Sequence, residues 1–110
     1  MITRLKISRS STGLLSQRYG GLQQQLTPNI ILRNALMFSL NNGDKHDDDD
    51  AIDQAGTEFQ ISTLLGTNAE IYFMLFNEYY KKKLKDDEMK KRIAFHIECG
   101  LKNEMFKNIF

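Results

Sequence analysis

The sequence has one cysteine, one proline, no tryptophan and no long apolar run, and these shortages exclude several classes of protein. Cys99 has no second cysteine with which to form an internal disulfide, so we expect a reducing compartment. No segment approaches the about 20 consecutive apolar residues of a membrane-spanning helix. The first ten residues contain three basic side chains but no apolar stretch, so they do not resemble a signal peptide. The shortages predict a cytoplasmic protein without a membrane segment.

Length and composition predict a single domain over residues 1–110. The chain contains no internal repeat and no Gly-, Ser- or Pro-rich linker that would divide it. Hydrophobic residues make up 41% and charged residues 26%, which is an ordinary globular composition and excludes wholesale disorder. A chain of this size builds only a thin core, so we expect it to bury further apolar surface in an oligomer.

The net charge of +1 hides a strong segregation of charge along the chain. Residues 1–43 carry five basic and no acidic residues, whereas residues 44–58 carry seven acidic residues and one lysine. Residues 81–110 are basic again, with nine basic and five acidic residues. Two basic ends around an acidic middle suit an anionic partner such as nucleic acid. The alternative is a solvated surface whose charges are unevenly spaced.

Periodicity and turn signals predict a mostly helical α+β fold with short strands. Strands are expected at residues 1–8 and 57–63, a loop at 44–56, and helices at 9–19, 28–40, 68–84, 86–100 and 101–109. Thr27 is suited to cap the second helix with its side chain, and Pro28 fits the first helical position. Residues 71–76 are apolar on every face, which predicts a central helix that is buried all round.

Three helices show apolar residues at the three- and four-residue spacing of a buried face. The expected buried residues are Ile31, Leu32, Ala35, Leu36, Ser39 and Leu40 in the second helix, Met89, Ile93 and Ile97 in the fourth, and Leu101, Met105 and Ile109 in the last. Gly100 is expected to end the fourth helix.

No group of residues matches a known catalytic or metal-binding pattern. The run Asp47–Asp50 fits no frame of a calcium-binding loop, so a solvated acidic loop is the favoured interpretation. His46 and His96 have neither metal-ligand spacing nor a recognisable nucleophile, and His96 is expected to be a packing or capping residue. Cys99 is expected to be a buried structural thiol. We therefore expect no cofactor, no metal and no catalytic residue.

The basic residues near the C-terminus divide into two groups. One group follows acidic residues by four positions, which predicts ion pairs on a solvent-exposed helix face: Asp86 with Lys90, Asp87 with Lys91, and Glu88 with Arg92. In the other group only Lys82 follows an acidic residue, Glu78, at helical spacing. This group is the predicted phosphate-binding site: Lys81, Lys82, Lys83 and Lys85, with help from Arg4, Lys6, Arg9 and Arg18. Tyr79 and Tyr80 precede these lysines and are suited to contact a sugar or base, but Tyr80 also has the spacing of a core residue and is expected to be structural.

Three stretches, taken together, resemble one protein family. Thr27–Leu36 (TPNIILRNAL) with Ser39-Leu40, then Glu58-Phe59 with Thr63–Gly66 (TLLG), and finally His96–Gly100 (HIECG) occur in the order found in the DndE family. This family is the E subunit of the bacterial DNA sulfur-modification (Dnd, phosphorothioation) system. The resemblance spans roughly residues 5–105.

The resemblance implies a non-catalytic DNA-binding subunit with a ribbon-helix-helix-like fold, assembled as a homo-oligomer that is expected to be a tetramer. Its partners would be the double-stranded DNA backbone and the sulfur-transfer and ATPase subunits of the same system. Together they replace a non-bridging phosphate oxygen of DNA with sulfur. Surface lysines would contact the duplex with little sequence preference, and a nicked duplex would be favoured.

Two alternatives from other classes stay open. A ribbon-helix-helix transcription repressor or antitoxin would read bases with a paired N-terminal strand, for which Arg4 and Lys6 are suited. Such a repressor would prefer one palindromic site. A small nuclease that uses the aspartate loop and His46 would show magnesium-dependent cleavage.

Overall fold

The computed structural model describes residues 1–20, 27–47 and 51–109. Within these ranges the chain forms a mostly helical α+β fold, as the sequence predicts. The strands are β1 (Arg4–Lys6) and β2 (Glu58–Gln60). The helices are α1 (Arg9–Gln17), α2 (Pro28–Asn42), α3 (Ile61–Leu64), α4 (Ala69–Tyr80), α5 (Asp86–Lys102) and α6 (Glu104–Ile109).

The two strands form an antiparallel sheet in which Arg4 lies opposite Gln60, Leu5 opposite Phe59 and Lys6 opposite Glu58. Leu5 is buried, whereas Arg4 and Lys6 are exposed, so the alternation read from the sequence is confirmed. The second strand is shorter than predicted. The chain turns into α3 directly after Gln60, and this turn buries the first and last residues of α3.

Helices α2 and α5 pack against each other at the centre of the core. The buried face of α2 consists of Ile31, Leu32, Ala35, Leu36 and Ser39, as predicted, whereas Leu40, also expected to be buried, is only partly buried. On α5, Gly100 lies against α2, and a Cβ built there would fall 2.0 Å from the carbonyl oxygen of Ala35. Gly100 was expected to end the helix, but α5 continues to Lys102. The glycine is needed for close helix packing rather than for a turn.

Helix α2 begins and ends near the residues that the sequence predicts, but the capping contacts differ from those predicted. Helix α2 begins at Pro28, but the Thr27 side chain makes no capping hydrogen bond, and the Thr27 carbonyl accepts from the Ile30 N–H instead. A side-chain cap occurs on α1, where Ser8 Oγ accepts from the Ser11 N–H at 3.0 Å. Gly43 ends α2 with a φ of 83°, the left-handed conformation that glycine adopts readily.

The prediction that α4 is buried all round is wrong. Only Phe76 of this helix is buried, and Ile71, Met74 and Leu75 are 55%, 68% and 42% exposed. The helix also ends at Tyr80 rather than near residue 84. Helix α4 lies at the edge of the fold with one face toward the core, and α5 occupies the centre.

The predicted apolar face of the last helix is confirmed for Leu101, which is buried at the end of α5, and is wrong for the other two residues. Met105 and Ile109 are each 69% exposed, and Phe106 is the buried residue of α6. The cause is a break at Asn103, whose extended backbone ends α5 and changes the rotation of the following helix. Phe106 then packs against Tyr19 and Phe38, with ring centroids 5.8 and 5.5 Å apart.

Residues 44–47 and 51–57 form neither helix nor strand, as predicted for the acidic loop. The rest of the aspartate run, Asp48–Asp50, lies outside the described residues. A search of the described helices finds none with the length and hydropathy required to cross a membrane.

Candidate nucleic-acid interface

The lysines predicted to bind phosphate lie together in the connection between α4 and α5, which we call the lysine turn (Lys81–Lys85). The Lys81 N–H donates to the Glu78 carbonyl and the Lys82 N–H to the Asn77 carbonyl, which closes the end of α4 as a Schellman motif. The Leu84 N–H donates to Asn77 Oδ1 at 2.9 Å, and the Leu84 side chain is buried. These contacts fix the backbone of the turn against the fold.

Lys81 occupies the position in this motif that glycine usually holds. Its φ is 55°, and within the part of the chain that the structure describes it is the only non-glycine residue with a positive φ. A side chain in the left-handed region costs roughly 1–2 kcal/mol, a strain that glycine avoids. Glycine at this position would relieve that strain.

The four lysines of the turn are exposed, but one of them is neutralised. Lys82 Nζ lies 2.5 Å from Glu88 Oε2, and this hydrogen bond is the main cause that lowers the pKa of the Glu88 carboxyl. Helical spacing offered Glu78 as the acidic neighbour of Lys82, but the structure pairs Lys82 with Glu88. Among the ion pairs of the described residues, none involves Lys81, Lys83 or Lys85.

The ion pairs predicted between successive turns of α5 do not form either. Among the described ion pairs, none joins Asp86 to Lys90, Asp87 to Lys91 or Glu88 to Arg92. Glu88 turns back toward Lys82 and also accepts from the Lys85 N–H at 3.0 Å. Arg92 is only 4% exposed and does not lie on a solvent-exposed face.

The start of the chain lies beside the lysine turn. Met1 and Ile2 line a small pocket together with Lys83 and Leu84. Arg4 follows on β1, 3.5 Å from the Glu58 carboxylate, while Lys6 and the Arg9 side chain are exposed. The structure thus places the beginning of the basic N-terminal segment close to the turn.

Arg18 lies elsewhere and has structural contacts. Its Nη1 donates to the carbonyls of Leu101 and Lys102 at 3.4 and 3.2 Å, and its Nη2 lies 2.6 Å from Glu104 Oε1. The guanidinium therefore binds the C-terminal end of α5, where the helix dipole favours a cation. The sequence shows the positive charge of Arg18 but not these contacts, and for that reason Arg18 was predicted to contact DNA.

A buried polar network, which sequence reasoning missed, anchors the end of α4. Ser39 Oγ donates to Asp44 Oδ2 at 2.8 Å and lies 2.7 Å from His96 Nδ1, and His96 Nε2 lies 2.6 Å from the Tyr80 hydroxyl. Because the serine proton points to Asp44, His96 donates from Nδ1 and accepts from Tyr80 at Nε2. The four side chains form one chain of hydrogen bonds between α2, α4 and α5.

His96 is held neutral in this network. Burial lowers its pKa to about 4, and its side chain has 0% exposure. The Tyr80 hydroxyl also accepts from the His46 N–H at 3.1 Å. Burial raises the pKa of Tyr80 to about 12. These contacts confirm the prediction that His96 and Tyr80 are packing residues.

Arg92 and Lys45 complete the packing around the two tyrosines. Arg92 lies 3.1 Å from His46 Nδ1 and 4.5 Å from the centroid of the Tyr80 ring, and Lys45 lies 4.1 Å from the Tyr79 ring. No sequence signal predicted these contacts, because they join the loop after α2 to α4 and α5 over long separations in the chain.

The remaining candidate groups show no arrangement for chemistry. Cys99 is half-buried rather than buried as predicted. Desolvation still raises the pKa of its thiol to about 11, so the thiol is protonated at neutral pH and is a poor nucleophile. Within residues 1–20, 27–47 and 51–109, no three His, Cys, Asp or Glu side chains lie together as metal ligands would.

Fold and site together define a small, mostly helical α+β domain with a cationic turn fixed at its surface. The family model described as DNA sulphur modification protein DndE matches residues 4–107. The chain therefore belongs to the DndE family, as its sequence motifs predict. No curated protein sequence gave a significant match.

Two solved structures share the fold. The crystal structure of DndE from Escherichia coli B7A, involved in DNA phosphorothioation modification, superposes with a TM-score of 0.80 at 23% identity, covering 93% of this chain and 97% of that one. A double glycine-to-lysine mutant of DndE gives a TM-score of 0.76 at 24% identity and covers 92% of this chain and 95% of that one. The similarity confirms the mostly helical fold.

Proposed function

We propose that this protein is the non-catalytic DNA-binding subunit of a DNA phosphorothioation complex. The observation that carries the proposal is the lysine turn, where Lys81 holds a strained backbone position that glycine would occupy without cost. Lysine ammonium groups bind phosphate as mobile point charges, so the turn suits the DNA backbone better than base edges. Binding should therefore show little sequence preference, with nicked duplex favoured as the family resemblance implies.

The proposed DNA surface combines the lysine turn with the N-terminal strand. Lys81, Lys83 and Lys85 supply the cations that lack ion-pair partners among the described residues, and Lys82 becomes available when phosphate displaces Glu88. Exposed basic residues on and after β1 extend this surface. We leave Arg18 out of it, because its guanidinium is held by α5 and α6.

The proposal extends to the partners and assembly that family membership implies. The chain would act in the cytoplasm with the sulfur-transfer and ATPase subunits, which perform the chemistry, and would form a homo-oligomer, expected to be a tetramer. A ribbon-helix-helix likeness is supported by the order β1, α1, α2 at the start of the chain. The burial of His96 and the raised pKa of Cys99 support a subunit without a reaction centre of its own.

A repressor or antitoxin is the second candidate, and its support is the exposed pair Arg4 and Lys6 on β1. It is less favoured because β1 is paired with β2 of its own chain, which differs from a strand ribbon shared by two chains. Competition binding distinguishes the two functions. A subunit of a modification complex should bind unrelated duplexes within a few-fold of one another, whereas a repressor should prefer one palindrome by about 10³-fold or more.

The Lys81→Gly variant tests the role of the turn. Glycine removes the left-handed strain, so the free energy of unfolding should rise by about 1 kcal/mol, while affinity for a 20–30 base-pair duplex should fall because one phosphate contact is lost. Lys107→Gly has no such strain to relieve and serves as the charge-matched control, since Lys107 is exposed on α6. Equal affinity of Lys81→Gly and wild type would show that Lys81 does not contact DNA.

A further inference from the structure

Glu88 connects the lysine turn to the start of α5. Its Oε2 accepts a hydrogen bond from Lys82 Nζ at 2.5 Å, and its Oε1 accepts from the Lys85 N–H at 3.0 Å. The Glu88 side chain is 25% exposed and that of Lys82 is 45% exposed, so the carboxylate is the less exposed partner of the pair. A single carboxylate thus caps α5 and neutralises a lysine of the turn.

The two groups that donate to Glu88 are also groups that bind phosphate. An ammonium group and a backbone N–H at the start of a long helix form charge-assisted hydrogen bonds with phosphate oxygens as they do with a carboxylate. The hydrogen bond from Lys82, followed by that from the Lys85 N–H, lowers the pKa of the Glu88 carboxyl, which is therefore an anion at neutral pH. A DNA phosphate that approaches Lys82 meets a lysine whose anion position is already filled.

The neighbouring acidic residues make no such contact. Glu78 lines the open groove beside the lysine turn, and Asp87 is exposed on α5 next to Glu88. Among the ion pairs of the described residues, neither Glu78 nor Asp87 takes part. Glu88 therefore differs from both in acting on the turn through a direct contact.

We propose that Glu88 is a built-in competitor of DNA phosphate at Lys82 and limits the affinity of the lysine turn for DNA. This inference rests on the DNA binding proposed above and adds a control of its strength. When DNA binds, Lys82 exchanges the carboxylate for a phosphate, and Glu88 keeps its hydrogen bond to the Lys85 N–H. The lost ion pair offsets much of the new contact, and the freed carboxylate repels the phosphate beside it. The return of Lys82 to Glu88 favours release of DNA.

The first experiment compares duplex binding by wild type and Glu88→Gln. Glutamine removes the charge but keeps an oxygen that can accept from the Lys85 N–H, as it does in a capping box. Affinity should rise about 2- to 5-fold or more, because no ion pair has to be broken. The slope of log affinity against log salt should steepen by up to about 0.9, so the gain should be about three times larger at 50 mM than at 200 mM salt.

Asp87→Asn is the matched control, because it removes the same charge one residue away without breaking a contact to the lysine turn. It should gain less affinity than Glu88→Gln and keep a slope close to that of wild type. Circular dichroism without DNA checks that both variants are folded.

The second experiment asks whether the effect of Glu88 passes through Lys82. In wild type, Lys82→Gln should weaken binding less than Lys83→Gln, because Lys82 gives up an ion pair when it binds phosphate. In the Glu88→Gln background the two lysine variants should weaken binding equally. The cost of Lys82→Gln should thus be about 1.5- to 5-fold larger in that background, the strength of a surface ion pair. An equal cost in both backgrounds would overturn the proposal.

The outcomes separate this inference from DNA binding itself. If neither wild type nor Glu88→Gln binds a duplex, the DNA-binding function and the role of Glu88 are both contradicted. If wild type binds and Glu88→Gln gains no more affinity than Asp87→Asn, only the role of Glu88 is contradicted. Binding by Glu88→Gln together with undetectable binding by wild type supports both.

Discussion

The buried network around His96 makes folding stability depend on pH in a calculable way. In the folded chain the pKa of His96 is lowered from 6.5 to about 4, because burial disfavours its charged form. The unfolded chain therefore takes up a proton near pH 6.5 that the folded chain takes up only near pH 4. The stability that His96 contributes is complete above pH 6.5 and is lost as the pH falls toward 4.

The size of the effect follows from the two pKa values. Between pH 7.5 and pH 5.0 the unfolded chain gains most of one proton and the folded chain gains about a tenth of one. Linkage then lowers the free energy of unfolding by about 2 kcal/mol across this interval. Most aspartates and glutamates titrate below pH 5, so the interval reports mainly on histidine.

Urea unfolding at fixed protein concentration, followed by circular dichroism at pH 7.5, 6.5, 5.5 and 5.0, measures this loss. The His96→Gln variant is the control, since glutamine does not titrate. It should be less stable at pH 7.5, because it breaks the hydrogen bonds to Ser39 and Tyr80, and its stability should fall less toward pH 5.0. A wild-type stability that is unchanged between pH 7.5 and 5.0, or an equal pH dependence in His96→Gln, would refute the reasoning.

Two further predictions concern stability. Gly100→Ala should lower the free energy of unfolding by about 3 kcal/mol, because its Cβ would meet the Ala35 carbonyl oxygen. Gly13→Ala, which meets no atom within 4 Å, should instead raise it by about 0.5–1 kcal/mol; the opposite order in chemical denaturation would contradict the packing described. Arg18→Gln should cost roughly 0.5–1.5 kcal/mol through its lost contacts to α5 and to the mostly exposed Glu104. Because Arg18 is assigned to structure, unchanged stability with weakened DNA binding would return it to the DNA surface.

Features that depend on neighbouring residues could be predicted from the sequence. The Thr27-Pro28 pair places the start of α2, the apolar spacing gives its buried face, and Gly43 gives its end. The start of α5 at Asp86 could also be predicted, since acidic residues stabilise the N-terminus of a helix. The motif order was sufficient to identify the family before the fold was known.

Features that depend on distant parts of the chain could not be predicted. Arg92 has the spacing of a surface ion pair with Glu88, but the loop after α2 brings His46 over it and buries it. The turn at Lys81 then directs Lys82 toward Glu88, a contact that helical spacing cannot anticipate. The break at Asn103 likewise moves the apolar face of α6 from Met105 to Phe106.

A test of DNA binding by the lysine turn requires a control variant that loses the same number of positive charges at another place on the surface. Arg92 is unsuitable because it is buried. Lys90, Lys91 and Lys107 lie on α5 and α6, outside the lysine turn. Their triple replacement by glutamine removes three positive charges, keeps helix propensity, and is the control for the measurement below.

The most direct test is the dependence of duplex affinity on salt concentration for wild type, the control triple variant and Lys81→Gln/Lys82→Gln/Lys83→Gln. Each phosphate contact contributes about 0.9 to the slope of log affinity against log salt, so the lysine-turn variant should bind more weakly with a slope reduced by up to about 2.7. Sequence preference should stay unchanged, and the control should retain a slope close to that of wild type. If the lysine-turn variant keeps the wild-type slope while the control loses it, DNA binds to a different face and the account is contradicted.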